Sequence, residues 1–234
     1  MTNFNEFQWA IFLYWAVSYK DDLKGNKGSD LDYINLMSEA EFLRDLRSQP
    51  NQLKVEDIQN KVIGFLNLWK CRIKGDDQIA LKLREVLVQS QQSLNDLKSL
   101  SIFDFNNSSA TQNDEIQDIY SRIDKIPHFG PTAIAKTLHI LQPSLFVMWD
   151  NPILSHYHVD AKAKGYIVFL SKMNKMVQEL MVDFKSKHST DTLEAFLCQK
   201  LDCTLRKTMA KFLDEYNWIT ITKGLSVPPK WWPS

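Results

Sequence analysis

The sequence predicts an all-α protein, a compact multi-helix bundle. Nearly every apolar pattern along the chain has the period of a helix. Glycine and proline are scarce, 7 and 8 among 234 residues, which disfavours a turn-rich β fold. No segment alternates apolar and polar residues for long; Trp218-Ile219-Thr220-Ile221-Thr222 is the one short stretch with strand character.

Asn5 to Lys20 reads as an apolar helix. Its core, Trp9 to Tyr19, falls short of the roughly 20 residues that cross a bilayer. With no basic stretch before it and Asp21-Asp22 behind it, it reads as a buried helix and not a signal peptide. Gly25-Asn26-Lys27-Gly28-Ser29 is a loop that lacks the rest of a phosphate-loop pattern. Ser38-Glu39-Ala40-Glu41 reads as a capping box opening a helix with Phe42, Leu43 and Leu46 inward. Val55, Ile58, Val62, Phe65, Leu66 and Trp69 form one stripe of a helix ending near Gly75. Gln78 to about Leu100 carries Ile79, Leu83, Val86, Leu87, Leu94 and Leu97 on one helix or two. Asp104 to Asn113 is polar and reads as a linker or mobile loop. Ile116, Ile119, Tyr120 and Ile123 mark the next helix.

The most informative stretch is Ile126-Pro127-His128-Phe129-Gly130-Pro131-Thr132-Ala133. Gly130 is expected to take positive φ in a tight turn, and Pro131 suits a first helical position, where no N–H is needed. Thr132 onward is helical, with Ile134, Leu138 and Leu141 on one face, and stops before Pro143. Phe146-Val147-Met148-Trp149 then runs into Asp150, twenty positions after Gly130, a carboxylate that can cap the next helix. A turn opening a helix presents backbone N–H groups, a phosphate-binding geometry. A carboxylate one helix away can face a sugar that the turn anchors.

Past Asp150 a short helix is expected to about Tyr157. Tyr166, Leu170, Met173, Val177, Leu180 and Phe184 step alternately by 4 and 3, a long amphipathic helix whose seam reads as core. Asp191 to Cys203 and Leu205 to Tyr216 are the last helices, before a Val227-Pro228-Pro229-Lys230-Trp231-Trp232-Pro233-Ser234 tail. We find no internal repeat. Residues 1–234 read as a single all-α unit, or as two intimate helical subdomains, with 115–157 holding the hairpin and the candidate site.

In Pro127, Gly130, Thr132, Ala133 and Asp150, with their spacing, the chain resembles the helix-hairpin-helix DNA glycosylase superfamily. The resemblance spans roughly Glu115 to Tyr157. It implies an all-α glycosylase-like fold, DNA as partner, and Asp150 as the catalytic carboxylate. It further implies a hairpin that grips DNA through His128, Phe129, Gly130 and Thr132, with Lys125 and Lys136 adding attraction. His128 stands where the first hairpin glycine falls. Thr132 stands where bifunctional members carry lysine, so the implied enzyme has no lyase activity and uses water as nucleophile. Asn151-Pro152 replaces the usual Thr-His, and the four-cysteine iron–sulfur loop of some members is missing. The runs Phe65-Leu66-Asn67-Leu68-Trp69 and Phe146-Val147-Met148-Trp149-Asp150 are also similar to an uncharacterised prokaryotic family, which implies no function.

Charge is balanced, 28 basic against 28 acidic residues, which argues against strong nonspecific nucleic-acid binding. Locally it is uneven: Asp160 to Lys187 holds six lysines against three acids, so Lys162 and Lys164 can join a basic face. Cys71, Cys198 and Cys203 make no disulfide framework, and five-residue spacing does not put Cys198 and Cys203 on one helix face. The expectation is a cytoplasmic protein with reduced, mostly buried thiols. His156, His158 and Asp160 are wrongly spaced for metal ligands on a helix, and no Walker or dinucleotide pattern is present, so neither metal nor cofactor is implied.

Each candidate carries a plainer alternative. Asp150 as a glycosylase carboxylate would stabilise the positive charge that develops on the sugar as the base leaves; as a structural residue it is a helix N-cap. Trp149, Phe129 and Tyr157 could stack on an extruded base or belong to the core. Lys70, Arg72 and Lys74 near a helix end are explained by its dipole. Beside the DNA glycosylase stand a non-catalytic DNA-binding or repair-accessory module and a helical protein-interaction module, to which Trp231 and Trp232 point.

Overall fold

The computed structural model describes residues 11–20, 29–74, 77–188, 192–201, 203 and 207–225. The Asp21-Asp22 pair, Gly25 to Gly28, Gly75, Leu205 and the Trp231-Trp232 tail lie outside the described residues. Among the described residues the regular structure is all helical, with no strand.

Residues 11–20 form α1, with Phe12, Trp15, Ala16 and Tyr19 inward. Only Glu39 separates α2 (Ser29–Ser38) from α3 (Ala40–Ser48). The expected capping box at Ser38 does not form. Ser38 still belongs to α2, its hydroxyl donates back to the Asn35 carbonyl at 2.7 Å, and Glu39 gives no side-chain cap. The box occurs instead at Ser109, whose Oγ accepts from the Gln112 N–H while the Gln112 side chain accepts from the Ser109 N–H. It opens α8 (Ala110–Ile123), so a helix begins inside the polar stretch expected to be a loop. The start of that stretch is tied down as well: Asn174 Nδ2 donates to the Ile102 and Phe103 carbonyls just before it, and Ser171 Oγ to Asn106 Oδ1 within it.

α4 (Val55–Asp57) and α5 (Gly64–Leu68) are joined without a break by the π-helical Ile58–Ile63. Ile58, Val62, Ile63, Phe65 and Leu66 are all buried along this stretch. α6 (Asp77–Gln89) and α7 (Gln91–Asp96) follow as two helices. α9 (Pro131–Leu141) packs against α3, α5 and α8 and is buried on nearly every side from Ala133 on. α10 (Asn151–Tyr157) leads into α11 (Ala163–Lys187), which lies along α8 with the Tyr166-to-Phe184 seam in the core. Each fully buried Leu, Met, Val or Phe of that seam contributes about 1.5–3 kcal/mol.

α12 (Leu193–Lys200) and α13 (Met209–Asn217) close the bundle. Trp218–Thr222, expected as a strand, is π-helical and continues α13. Helical geometry wins over β-branched propensity because Ile219 is buried against Trp15 and Tyr19, and the hydroxyls find acceptors: Thr220 on the Tyr216 carbonyl, Thr222 on Asp150. Buried apolar side chains from Phe12 to Leu213 form one contiguous core. No helix of the described residues is long and apolar enough to cross a membrane.

Candidate functional site

α8, a short turn and α9 form two helices in succession, and the turn sits at one end of an open cleft of about 1100 Å³. The turn differs from expectation in one respect. Gly130 has φ −82° and ψ 171°, ordinary extended backbone, and acts as the N-cap of α9. The left-handed residue is His128, at φ 68°. His128 is exposed, so its side chain meets no packing demand, and histidine is among the residues that tolerate this region. It takes the conformation a glycine would adopt there without strain.

A glycine N-cap has no side-chain acceptor, and Pro131 has no N–H. The first-turn amides of Thr132 and Ala133 therefore lack a side-chain cap, and both residues line the cleft. Phe129 turns the other way: it is 5% exposed and its ring belongs to the core.

Asp150 lines the same cleft. Its position follows from three restraints on the extended run that precedes it and two bonds of its own. His139 Nδ1 donates to the Phe146 carbonyl at 2.6 Å. Tyr166 Oη donates to the Val147 carbonyl at 2.9 Å. Trp149 Nε1 donates to the Pro131 carbonyl at 3.0 Å, tying the run to the first turn of α9. Asp150 Oδ1 then accepts from the Ile153 N–H at 3.0 Å and caps α10, while Oδ2 accepts from the Thr222 hydroxyl at 2.8 Å.

Trp149 is 1% exposed, wedged between Tyr166 and Phe169, with ring centroids 4.7 and 5.3 Å away. It is a buttress and not an open stacking face, because its ring fills the core and its N–H is spent on Pro131. Tyr157 is half-buried, its hydroxyl donates to Asn217 Oδ1 at 2.8 Å, and it is not among the residues lining the cleft. Besides the edge of the buried Trp149, the aromatic residues lining the cleft are Tyr19, Trp69 and Trp218, which sequence reasoning did not single out for stacking.

Lys125 and Lys136, grouped by sequence, separate in space. Lys125 is exposed beside a smaller pocket of about 470 Å³ between α6 and α8, with Arg122 and Pro127. Lys136, one turn along α9 from Thr132, points into the cleft and donates to the Trp69 carbonyl at 2.8 Å. Burial pulls its ammonium below the ordinary lysine value, against smaller opposing effects of Cys71, Asp214 and Asp150. It is a half-buried cleft residue and not a surface charge that steers a polyanion. Lys162 is exposed and paired with Asp124 at 3.0 Å.

Behind the cleft, reaching its lining at Asp214, lies a buried ionic cluster that sequence reasoning missed. Lys211 is fully buried and pairs with Asp214 at 2.8 Å and Glu215 at 3.4 Å, with the rings of Tyr19, Tyr33 and Trp69 around its ammonium. Lys207 joins Glu215 at 2.8 Å to Asp30 at 3.2 Å. Burial pulls Lys211 down, but Asp214, Tyr19 and Glu215 together hold it well above the ordinary lysine value. Burial pushes the Glu215 carboxyl up against the pull of both lysines. The legible signal was the spacing of Lys211 to Asp214 and Glu215, which brings ammonium and carboxylates together on one helix face.

The thiols also depart from expectation. All three cysteines are half-buried, not mostly buried, and Cys198 and Cys203 come together where α12 ends. No group of three or more His, Cys, Asp or Glu among the described residues is placed to hold a metal ion. No protein-family profile, curated protein or solved structure matches the chain.

Proposed function

We propose that this chain binds DNA and hydrolyses the N-glycosidic bond of a modified or damaged base. The observation that supports this reading is that Asp150 and the uncapped amides at the start of α9 line one open cleft. The amides offer a seat for a phosphate. A carboxylate across the same space suits a sugar that turns cationic as its base departs, where fixed negative charge lowers the barrier. Asp150 keeps lone pairs for this after accepting from Ile153 and Thr222, since a carboxylate offers about four acceptor sites. With Thr132 at the hairpin position where a lysine would sit, water is the nucleophile and no strand cleavage accompanies excision.

A non-catalytic DNA-binding module is the second reading, favoured by the fact that both oxygens of Asp150 are already engaged in structural hydrogen bonds. Asp150→Asn separates the two. Asparagine also caps helices well, so stability should change by about 1 kcal/mol or less. Excision from a panel of lesion-bearing duplexes should vanish while binding of the duplex persists. Wild-type protein that releases no base from any duplex, yet binds them, leaves the second reading; protein that neither binds nor cleaves removes both.

A further inference from the structure

Several helices of this chain stop in the same way. The N–H of a residue just past the helix donates back to the carbonyl five positions earlier, an arrangement that brings the two side chains into contact. α5 ends so, with Cys71 N–H on the Leu66 carbonyl at 2.9 Å, and α10 ends so, with Val159 N–H on the Leu154 carbonyl at 3.2 Å. Both pairs are apolar side chains that cover the helix end. α12 ends so with Cys203 N–H on the Cys198 carbonyl at 3.0 Å. Here the two side chains that flank the stop are both thiols. This is why five-residue spacing joins them although they share no helix face: Cys198 is in the last turn and Cys203 has folded back past the stop. The 3.0 Å bond from the Cys203 N–H to the Cys198 carbonyl, in a stop whose two flanking side chains commonly meet, makes the thiols neighbours, and both cysteines are half-buried, open to a small reagent.

We propose that Cys198 and Cys203 are a redox modification site: a dithiol that closes reversibly to an intramolecular disulfide by exchange with a small-molecule disulfide such as oxidised glutathione. The Cys198 sulfur, as thiolate, attacks one sulfur of the reagent; a mixed disulfide forms and one small thiolate leaves. Cys203 then gives its proton to solvent and attacks the Cys198 sulfur, expelling the second small thiolate. Two electrons pass from the pair to the reagent, which ends as two thiols carrying the two protons. Burial and the neighbouring Cys198 push Cys203 up to about 12, so Cys203 enters second, when its attack is intramolecular. Cys198 Sγ also sits 3.7 Å from the carbonyl of Lys207, whose ammonium belongs to the ion cluster behind the cleft.

The test is to hold the native, full-length protein with oxidised glutathione, block remaining thiols by alkylation, and weigh the intact chain. Reduced protein takes three labels, one per cysteine; oxidised protein should take one, on Cys71, and weigh two hydrogens less before labelling. Trypsin cuts after Lys200, so the disulfide should join peptide 188–200 to peptide 201–206. Cys203→Ser should stop at a glutathione adduct on Cys198, and Cys198→Ser should stay unmodified over the same time. Three labels after oxidation, a bond that includes Cys71, or a Cys198–Cys203 bond that forms only in denaturant overturns the proposal.

Discussion

Lowering the pH should destabilise this protein through one histidine. His139, on α9, is fully buried, with Nδ1 2.6 Å from the Phe146 carbonyl and Nε2 3.0 Å from the Tyr33 hydroxyl. A carbonyl only accepts, so Nδ1 carries the proton and Nε2 accepts from tyrosine: the neutral ring is fully satisfied. A second proton would force the Tyr33 hydroxyl to turn and accept, taking away the acceptor of its own proton. Burial first, then the charge of Lys211, pull His139 from 6.5 to about 4, with the Phe146 carbonyl working the other way. The unfolded chain takes up this proton near 6.5 and the folded chain only near 4. The stability is therefore fully present above pH 6.5 and is lost as pH falls through 4. The difference of 2.5 units corresponds to about 3 kcal/mol, and so to roughly 6–12 °C of melting temperature for a chain of this size. Glu215, whose carboxyl is raised, gives the opposite slope, so wild type must be compared with His139→Gln. In urea melts from about pH 7.5 down to about pH 4.5, just short of the full loss, the stability advantage of wild type should shrink by roughly 2–3 kcal/mol. Two curves that stay parallel refute the assignment of a neutral, doubly bonded His139.

Lys211→Met should destabilise by about 3–5 kcal/mol, because Glu215 loses one of its two ammonium partners while it stays buried. Adding Glu215→Gln should restore part of that loss; no restoration in thermal melts would mean the cost is packing and not charge. The glycines should separate sharply. A Cβ on Gly130 meets nothing within 4 Å at an ordinary φ, so Gly130→Ala should cost no more than about 1 kcal/mol. A Cβ on Gly165 falls 1.8 Å from the Asp160 carbonyl oxygen, so Gly165→Ala should fold poorly or melt far lower, and equal melting temperatures would contradict the α11 entry geometry.

What the sequence carried were features set by local chemistry. Pro131 at a first helical position and Asp150 at an N-cap need only their neighbours to be understood, and both lie where the pattern predicts. The α11 seam needs only the helical period. What escaped was decided by neighbours distant in sequence. Ser38 and Ser109 both precede suitable residues, yet the first is the last residue of α2 and the second caps α8, a difference the local pattern does not reveal. The Trp218–Thr222 run has strand-forming residues, yet its Thr222 hydroxyl is claimed by Asp150, 72 residues away. The ionic cluster behind the cleft joins Asp30 to Lys207 across 177 residues, which no local pattern reveals. The thiol pair was within reach, but only by asking how α12 stops and not which face its residues share.

Asp150 would use one and the same geometry as a helix cap and as a catalytic carboxylate. The two roles are compatible in physical terms. A helix N-terminus interacts favourably with negative charge, and capping fixes the carboxylate by its own backbone neighbour, Ile153, without a flexible partner. The Trp149 bond to Pro131 then ties the run that ends in that carboxylate to the first turn of α9, whose amides have no side-chain cap. In the proposed reaction, rigidity is what makes a fixed charge effective, since no reorganisation is needed when the sugar becomes cationic. Local geometry is thus the same under both readings, and the difference lies in what enters the cleft. Removing the charge while keeping the cap is therefore the decisive perturbation. Trp149→Phe is its complement: it keeps the charge and loosens the link between cleft wall and hairpin. Under the proposed mechanism it should slow excision with the Asp150 cap intact, whereas in a purely structural role it should alter melting temperature alone.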